Sequence, residues 1–424
     1  MTVSLTGVSF YTQRMTGPHD PTTSLPYLTQ DAPGIGGVIK QLDADFMVEE
    51  IPAYPASGVG SHLYLMIEKR GLTTSAAIRL IARALRKKPQ DFGYAGLKDA
   101  HGVTRQMISI EHVDSGEIEA VDIPRVKILS TTRHTNKIKL GHLAGNRFEI
   151  RIRDTVDHPL ELARPILDCL HNRGVPNYFG PQRFGARGDN ADVGRAVLSN
   201  NYDEAIAIML GRPTCVDHGP PEQARRLFDE GKYDEAAAAW SHRFPQQARL
   251  CRVHRSSGGK SEKTWRAVDR SLQLLFLSAV QSELFNRVLA ERIECPDRLV
   301  TGDVAWKHAN GACFSVDDAA AEQPRCDRFE ISPSGPLFGR KMKEARHEAG
   351  AVELRIVQES GLTLEQFTSW SGRGVRGARR PLRVPLGHLE YGADGDDRGP
   401  YFRLQFELPP GAYATAVTRE LCKA

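Results

Sequence analysis

The run Tyr94-Ala95-Gly96-Leu97-Lys98-Asp99-Ala100-His101-Gly102-Val103-Thr104-Arg105-Gln106 crowds a carboxylate, an imidazole, an ammonium and a guanidinium into one short stretch. Asp99 is its one carboxylate, with Lys98 and Arg105 close by in sequence. A carboxylate near fixed cations stays ionised at neutral pH, the state that a nucleophile or general base requires. Phe92, Tyr94 and Leu97 lead into the run, and Met107, Ile108 and Ile110 lead out of it toward a strand. A Gly-punctuated loop between strands is a place from which a fold presents a reactive side chain in fixed geometry. Taken alone, Asp99 reads better as an Asx turn, bonded to its own backbone.

A second unusual stretch is Gly174-Val175-Pro176-Asn177-Tyr178-Phe179-Gly180-Pro181-Gln182-Arg183-Phe184-Gly185. Aromatics on a rigid turn, with an amide and a guanidinium between them, suit stacking a base and holding its edge or phosphate. Aromatic packing beneath a turn is the competing reading. Other candidates lack the required spacing. Gly34-Ile35-Gly36-Gly37 has neither a dinucleotide nor a Walker pattern, and His254 stands where the first glycine of a phosphate loop ending at Lys260-Ser261 would be. The acidic cluster Asp394, Asp396 and Asp397 lacks the distal Glu of a calcium loop and reads as a hairpin.

The composition narrows the class. A chain of 424 residues is long enough for two domains and more than one core. With 56 Lys+Arg against 52 Asp+Glu, a nucleic-acid partner is not written in the total and has to come from clusters. Such clusters exist at Arg83-Arg86-Lys87-Lys88, at Arg133-His134 with Lys137 and Lys139, and at Arg373-Arg376-Arg379-Arg380. The last lies in an Arg-Gly run, 371–380, which reads as flexible and cationic, fit to track a phosphate backbone or equally to be a mobile surface loop. The seven cysteines are scattered without C-x-x-C spacing, which argues against a zinc ribbon and for a reducing compartment. A polar N-terminus and the absence of an 18-residue apolar run point to a soluble, cytoplasmic protein.

The elements that must position these residues can be read in order. Residues 1–30 read as an irregular arm rich in Thr, Pro and Gly. Val38-Ile39-Lys40 and 45–50 read as extended, and 63–67 as a strand. Thr73, Thr74 and Ser75 offer N-caps for a helix with Ile78, Ile81, Ala82 and Leu85 on one face. Short strands are expected at 125–128 and 137–140. Phe148, Ile150 and Ile152 alternate with Glu149, Arg151 and Arg153, as in a strand with one wet face. A helix is expected at 158–172, followed by Ala-rich helices from 200 to 265. A long helix over 264–292 carries apolar residues on two faces, one including Leu272, Leu275 and Phe276, and so is expected between layers. Phe402, Leu404, Phe406 and Leu408 mark a half-buried strand before a helix at 414–421.

In wording and order, five stretches resemble the tRNA pseudouridine synthase D (TruD) family. They are Gly36–Lys40 through Asp45–Glu50, the Asp99 motif, Lys139–Phe148, Pro176–Gly185, and Leu408–Thr415 through Arg419–Leu421. Leu277-Ser278-Ala279 and Glu283-Leu284-Phe285-Asn286 look familial too. The helical segment 201–265 looks like that of the longer archaeal and eukaryotic relatives. The resemblance implies an α+β fold: a mixed, largely antiparallel sheet flanked by helices, with a second α/β domain inserted. The catalytic domain would take 31–200 and 386–424, and the inserted domain 201–385, with RNA held between the two.

The implied reaction isomerises a tRNA uridine, at position 13 of the D arm, to pseudouridine, with the base flipped out of its helix. Asp99 would carry the chemistry, as nucleophile or as base. Lys40 would pair with Asp99, Phe46 would wall the pocket, Asn177 would position the loop or base, and Phe179 would stack on the uracil. Arg105, Gln182 and Arg183 complete the candidate RNA-binding set. No cofactor, metal, membrane or protein partner is implied, and a monomer is expected. A non-catalytic RNA-binding or tRNA-folding module is the alternative reading, and a metal-dependent nuclease a weaker one.

Overall fold

The structure is a computed structural model that describes residues 22–98, 102–119, 122–240, 242–370 and 374–423. The chain divides into two compact units, one of Thr29–Val175 with Val384–Ala424 and one of Pro176–Arg383 with the described part of Met1–Leu28.

The first unit is built on a sheet whose strands run in the order Gly387–Asp396, Gly399–Leu408, Leu143–Thr155, Phe46–Pro52, Val103–Glu111, His62–Arg70, Val126–His134. Two short strands extend it. Gly36–Val38 continues the edge of Leu143–Thr155 beyond Phe46, and Gly93–Tyr94 lies on Val103–Glu111. Pairing is antiparallel apart from Phe46–Pro52 with Val103–Glu111, which run parallel with Met47 opposite Val103. That one parallel pair places the strand carrying Phe46 beside the strand that leaves the Asp99 loop. The crossover between them contains the strand His62–Arg70 and the helix Thr74–Ala84.

Helix Thr74–Ala84 forms where the apolar spacing predicts it. Thr73 Oγ1 accepts from the Ala76 N–H at 3.2 Å, satisfying one orphan donor of the first turn. Ala77, Ile78, Ile81, Ala82 and Leu85 then pack on Leu63, Leu65, Ile67, Ile108 and Ile110 from one sheet face. Each fully buried Ile or Leu contributes about 1.5–3 kcal/mol of transfer free energy. Helix Pro159–Arg173 packs with Ala414–Cys422. The alternating residues Phe148, Ile150, Ile152, Phe402, Leu404 and Phe406 are all buried.

Two expectations in this unit are corrected. No strand forms at 137–140. Ile138 turns inward and donates its N–H to Ser109 Oγ at 2.9 Å, while Leu140 is 72% exposed, so this stretch is a loop plugged at one point. The strand expected at 125–128 runs on as Val126–His134, because Thr131 and Thr132 continue the extended backbone opposite Tyr64 and Leu65.

The second unit joins helices to a four-stranded sheet in the order Cys313–Ser315, Val304–Lys307, Ile331–Leu337, Ala378–Pro381. The helix expected at 264–292 is two, Ser261–Arg266 and Arg270–Glu291. Buried Gln273 donates its amide to the carbonyls of Trp265 and Val268, both at 3.1 Å, which completes the break. Arg270–Glu291 buries Phe276, Leu277, Val280, Leu284, Phe285, Val288 and Leu289, as its two apolar faces predict, although Leu275 is exposed. The Arg-Gly run is not a free loop over its described part. Ala378–Pro381 is a strand against Ile331–Leu337. Arg379 is buried in an ion pair with Glu353 at 2.7 Å.

Candidate active site

The chain is anchored on both sides of Asp99, which itself lies outside the described residues. On the near side, the Lys98 N–H donates to Thr74 Oγ1 at 2.8 Å, and the Thr74 hydroxyl donates to Gln106 Oε1, also at 2.8 Å. The Gln106 amide reaches the Gly96 carbonyl at 3.5 Å. Thr74 and Gln106 are buried, so these bonds form away from competing water. On the far side, Gly102 has φ +123°, and a Cβ there would come within 2.4 Å of the Phe46 carbonyl oxygen. Glycine is required at this turn for both reasons. The Gly71 N–H closes the stem by donating to the Gly102 carbonyl at 3.3 Å.

Lys40 and Phe46 are brought together. Lys40 adopts a left-handed backbone with φ 61°, and its Nζ lies 4.1 Å from the centroid of the Phe46 ring. Phe46 is 8% exposed and adjoins Gly102, so this cation–π pair stands at the far stem of the Asp99 loop. Phe46 is held in turn by what precedes it. Asp45, fully buried, receives Arg153 Nη2 at 2.7 Å and Nε at 3.0 and 3.1 Å. Arg153 also donates Nη1 and Nη2 to Asp396 at 2.9 and 2.6 Å. Hydrogen bonding by Arg153, then by the Arg398 N–H, holds the Asp396 carboxyl well below the usual carboxylate range.

The cations next to Asp99 in sequence spend their charge elsewhere. The Lys98 ammonium lies 3.5 Å from Glu50 Oε2, with both side chains nearly inaccessible, and donates to Asn146 Oδ1. Burial pushes Glu50 up and Lys98 down from their ordinary pKa values, and each is partly restored by the other's charge. Arg105 projects from the opposite sheet face, since strand neighbours alternate and Gln106 faces the Thr74 side. There it bonds Glu68 at 3.0 Å and Glu49 at 3.4 Å, and the Glu68 hydrogen bond raises its pKa.

Asn177, Phe179, Gln182 and Arg183 belong to the second unit. Buried Asn177 donates its amide to the Pro381 carbonyl at 2.9 Å, and its Oδ1 accepts from Arg380. Its backbone N–H donates to the Leu382 carbonyl at 2.9 Å. This amide therefore fastens the turn to the strand end at 380–382. The Phe179 main chain is gripped by Asn286, which accepts from its N–H at 2.8 Å and donates to its carbonyl at 2.9 Å. The Phe179 ring meets Phe285 edge-on with centroids 5.5 Å apart, and the Arg380 guanidinium carbon lies 4.2 Å from its centroid. Arg183 is 5.1 Å from the same ring and reaches Ser278 Oγ at 3.5 Å, while Gln182 is exposed on the short turn Pro181–Arg183.

Glu50, Thr74, Gln106, Asn146, Asn286 and Arg380 lie in stretches named above, but the sequence reading gave none of them a part in the site. A polar residue at an inward position of an apolar strand was the available signal for Gln106 and Glu50. Among the described residues no group of three or more His, Cys, Asp or Glu side chains is placed to hold a metal ion, and no helix is long and apolar enough to cross a membrane.

Comparison with known proteins agrees along almost the whole chain. The family model for tRNA pseudouridine synthase D (TruD) matches residues 23–421. A protein named tRNA pseudouridine synthase D from Syntrophotalea carbinolica is 45% identical over 397 residues, covering 94% of this chain and 98% of its own. One of the same name from Geobacter metallireducens is 46% identical over 404 residues, covering 94% and 97%. A crystal structure from Methanosarcina mazei, assigned to tRNA pseudouridine synthase D, superposes with a TM-score of 0.81 at 27% identity over 94% of this chain and 96% of that one.

Proposed function

We propose roles for the site residues from an established premise: the chain belongs to the tRNA pseudouridine synthase D family. Its reaction is the isomerisation of a uridine in tRNA to pseudouridine. The N1–C1′ bond breaks, the uracil turns, and C5 bonds to C1′. C5 loses a proton and N1 gains one, so the change is redox-neutral. The uracil must leave its stack for this to happen, at a cost of a few kcal/mol.

Asp99 is assigned the chemistry, as nucleophile on the sugar or ring or as proton acceptor. The observation that carries the assignment is the anchored loop: Lys98 is held by Thr74, and Gly102 abuts Phe46, over whose ring the Lys40 ammonium lies. Lys40 is the cation that keeps the Asp99 carboxyl charged once water is excluded. Phe46 walls the pocket on that side. Phe179 stacks on the extruded uracil, with Asn177 fixing the turn that carries it, and Arg183 and Gln182 contact the RNA. Arg105, on the opposite sheet face, is left outside the base pocket.

The target is taken as uridine 13 of the D arm, and the enzyme as a monomer acting on tRNA in the cytoplasm. The catalytic domain is assigned to 31–200 and 386–424 and the inserted domain to 201–385. The unit of Thr29–Val175 with Val384–Ala424 supports the first assignment, while residues 176–200 pack within the other unit. Asp99→Asn tests the central claim. Pseudouridine formation on tRNA should be abolished with the fold retained, and measurable turnover would refute the assignment.

A further inference from the structure

The buried Glu50–Lys98 pair has no part in the reaction as assigned above, yet it is one of the few ion pairs here with both partners withdrawn from water. It is formed by the residue directly before Asp99. Glu50 stands on the strand Phe46–Pro52 opposite Asn146 of Leu143–Thr155, and the Lys98 ammonium donates to Asn146 while forming the ion pair with Glu50. The Lys98 main chain is fastened at the same time, its N–H to Thr74 Oγ1 and its carbonyl to the Thr74 N–H at 3.4 Å. Residue 98 is thus tied by backbone to the first turn of a helix and by side chain to two central strands. Beside the pair is a cavity of about 60 Å³ lined by Glu50, Tyr54, Tyr64, Met107, Ile138 and His142.

Stability alone is a poor reason for such an arrangement. Withdrawing two charges from water costs several kcal/mol per ion, and well-packed apolar replacements are often neutral or stabilising. A buried pair does select one register, because any other seating of the loop strands a charge. We propose that Glu50 and Lys98 are positioning residues for the isomerisation: together they form a strut that fixes the main chain at Lys98 and so aims Asp99 at the sugar–base link. This rests on Asp99 being the reacting group. It divides the labour between the two lysines, with Lys40 serving the Asp99 charge and Lys98 its placement.

The test is the double variant Glu50→Leu/Lys98→Met, which removes both charges and leaves neither partner stranded. Kinetics on a tRNA transcript should show kcat falling by about a hundredfold, the scale expected for misplacement of a reacting group by roughly 1 Å. KM and the thermal midpoint should stay near wild type, a split that separates aim from binding and from folding. Wild-type kcat in this variant overturns the proposal, as does a raised KM with unchanged kcat. If the double variant fails to fold, the near-isosteric Glu50→Gln is read the same way: lowered kcat at constant KM supports the strut, and unchanged kcat removes it. Asp99→Asn is assayed in parallel. If it is active, the catalytic assignment itself fails; if it is inactive beside a fully active double variant, only the strut does.

Discussion

Phe179 shows how one residue can be read two ways. The residue is 4% exposed, and its ring meets Phe285 edge-on and has a guanidinium 4.2 Å from its centroid. Packing and stacking on a base both call for a large flat side chain held still, which is why the turn 174–185 read either way. The two roles separate by substitution. Phe179→Ala should lower kcat/KM by about 1–3 kcal/mol, the worth of one base stack, and lower the thermal midpoint too. Phe179→Leu keeps most of the apolar volume and loses the π face. Lost activity with a near-normal midpoint would assign the ring to the base, and full activity would assign it to the core. Lys98 and Arg105 teach a related lesson: nearness to Asp99 in sequence does not tell which other carboxylates they meet. Strand alternation sends Arg105 to Glu68 and Glu49, and Lys98 reaches Glu50.

At the level of elements, hairpin and strand cooperate through Arg153. It stands on Leu143–Thr155, holds Asp45 immediately before Phe46, and reaches Asp396 at the tip of Gly387–Asp396. Because Asp396 is held below its ordinary pKa in the fold, the unfolded chain binds more protons between the two values. Its contribution is therefore present above the unfolded carboxylate pKa and is lost as pH falls through the folded one. Asp396→Asn should lower the thermal midpoint at pH 7, and the gap to wild type should close as the pH is taken well below 4. A gap independent of pH would mean that the ion pair is not what Asp396 supplies. Elements with strong periodicity, such as Thr74–Ala84 and Gly399–Leu408, were legible from spacing alone. The break before Arg270 was not, because Gln273 satisfies the carbonyls of a turn that propensity would have continued as helix.

Over the whole molecule, a formal charge of +4 is small beside that of a tRNA. Binding must then come from local clusters, and kcat/KM at subsaturating tRNA should fall steeply with added salt, as counterion release requires. Rates insensitive to salt would point instead to recognition through apolar and stacking contacts. Pseudouridine mapping in tRNA from cells with and without the protein should show one D-arm uridine losing its modification; an unchanged map would remove position 13 from the account. The order of motifs along the chain was enough to identify the family, because reactive loops, glycine turns and capping residues are local and survive in a one-dimensional reading. What the tertiary structure decided is what each cation meets: Lys40 the Phe46 ring, Lys98 Glu50 and Asn146, Arg380 Asn177, Arg153 Asp45 and Asp396. Pairings between residues far apart in sequence depend on strand register and on which face each side chain takes, and no local spacing encodes either.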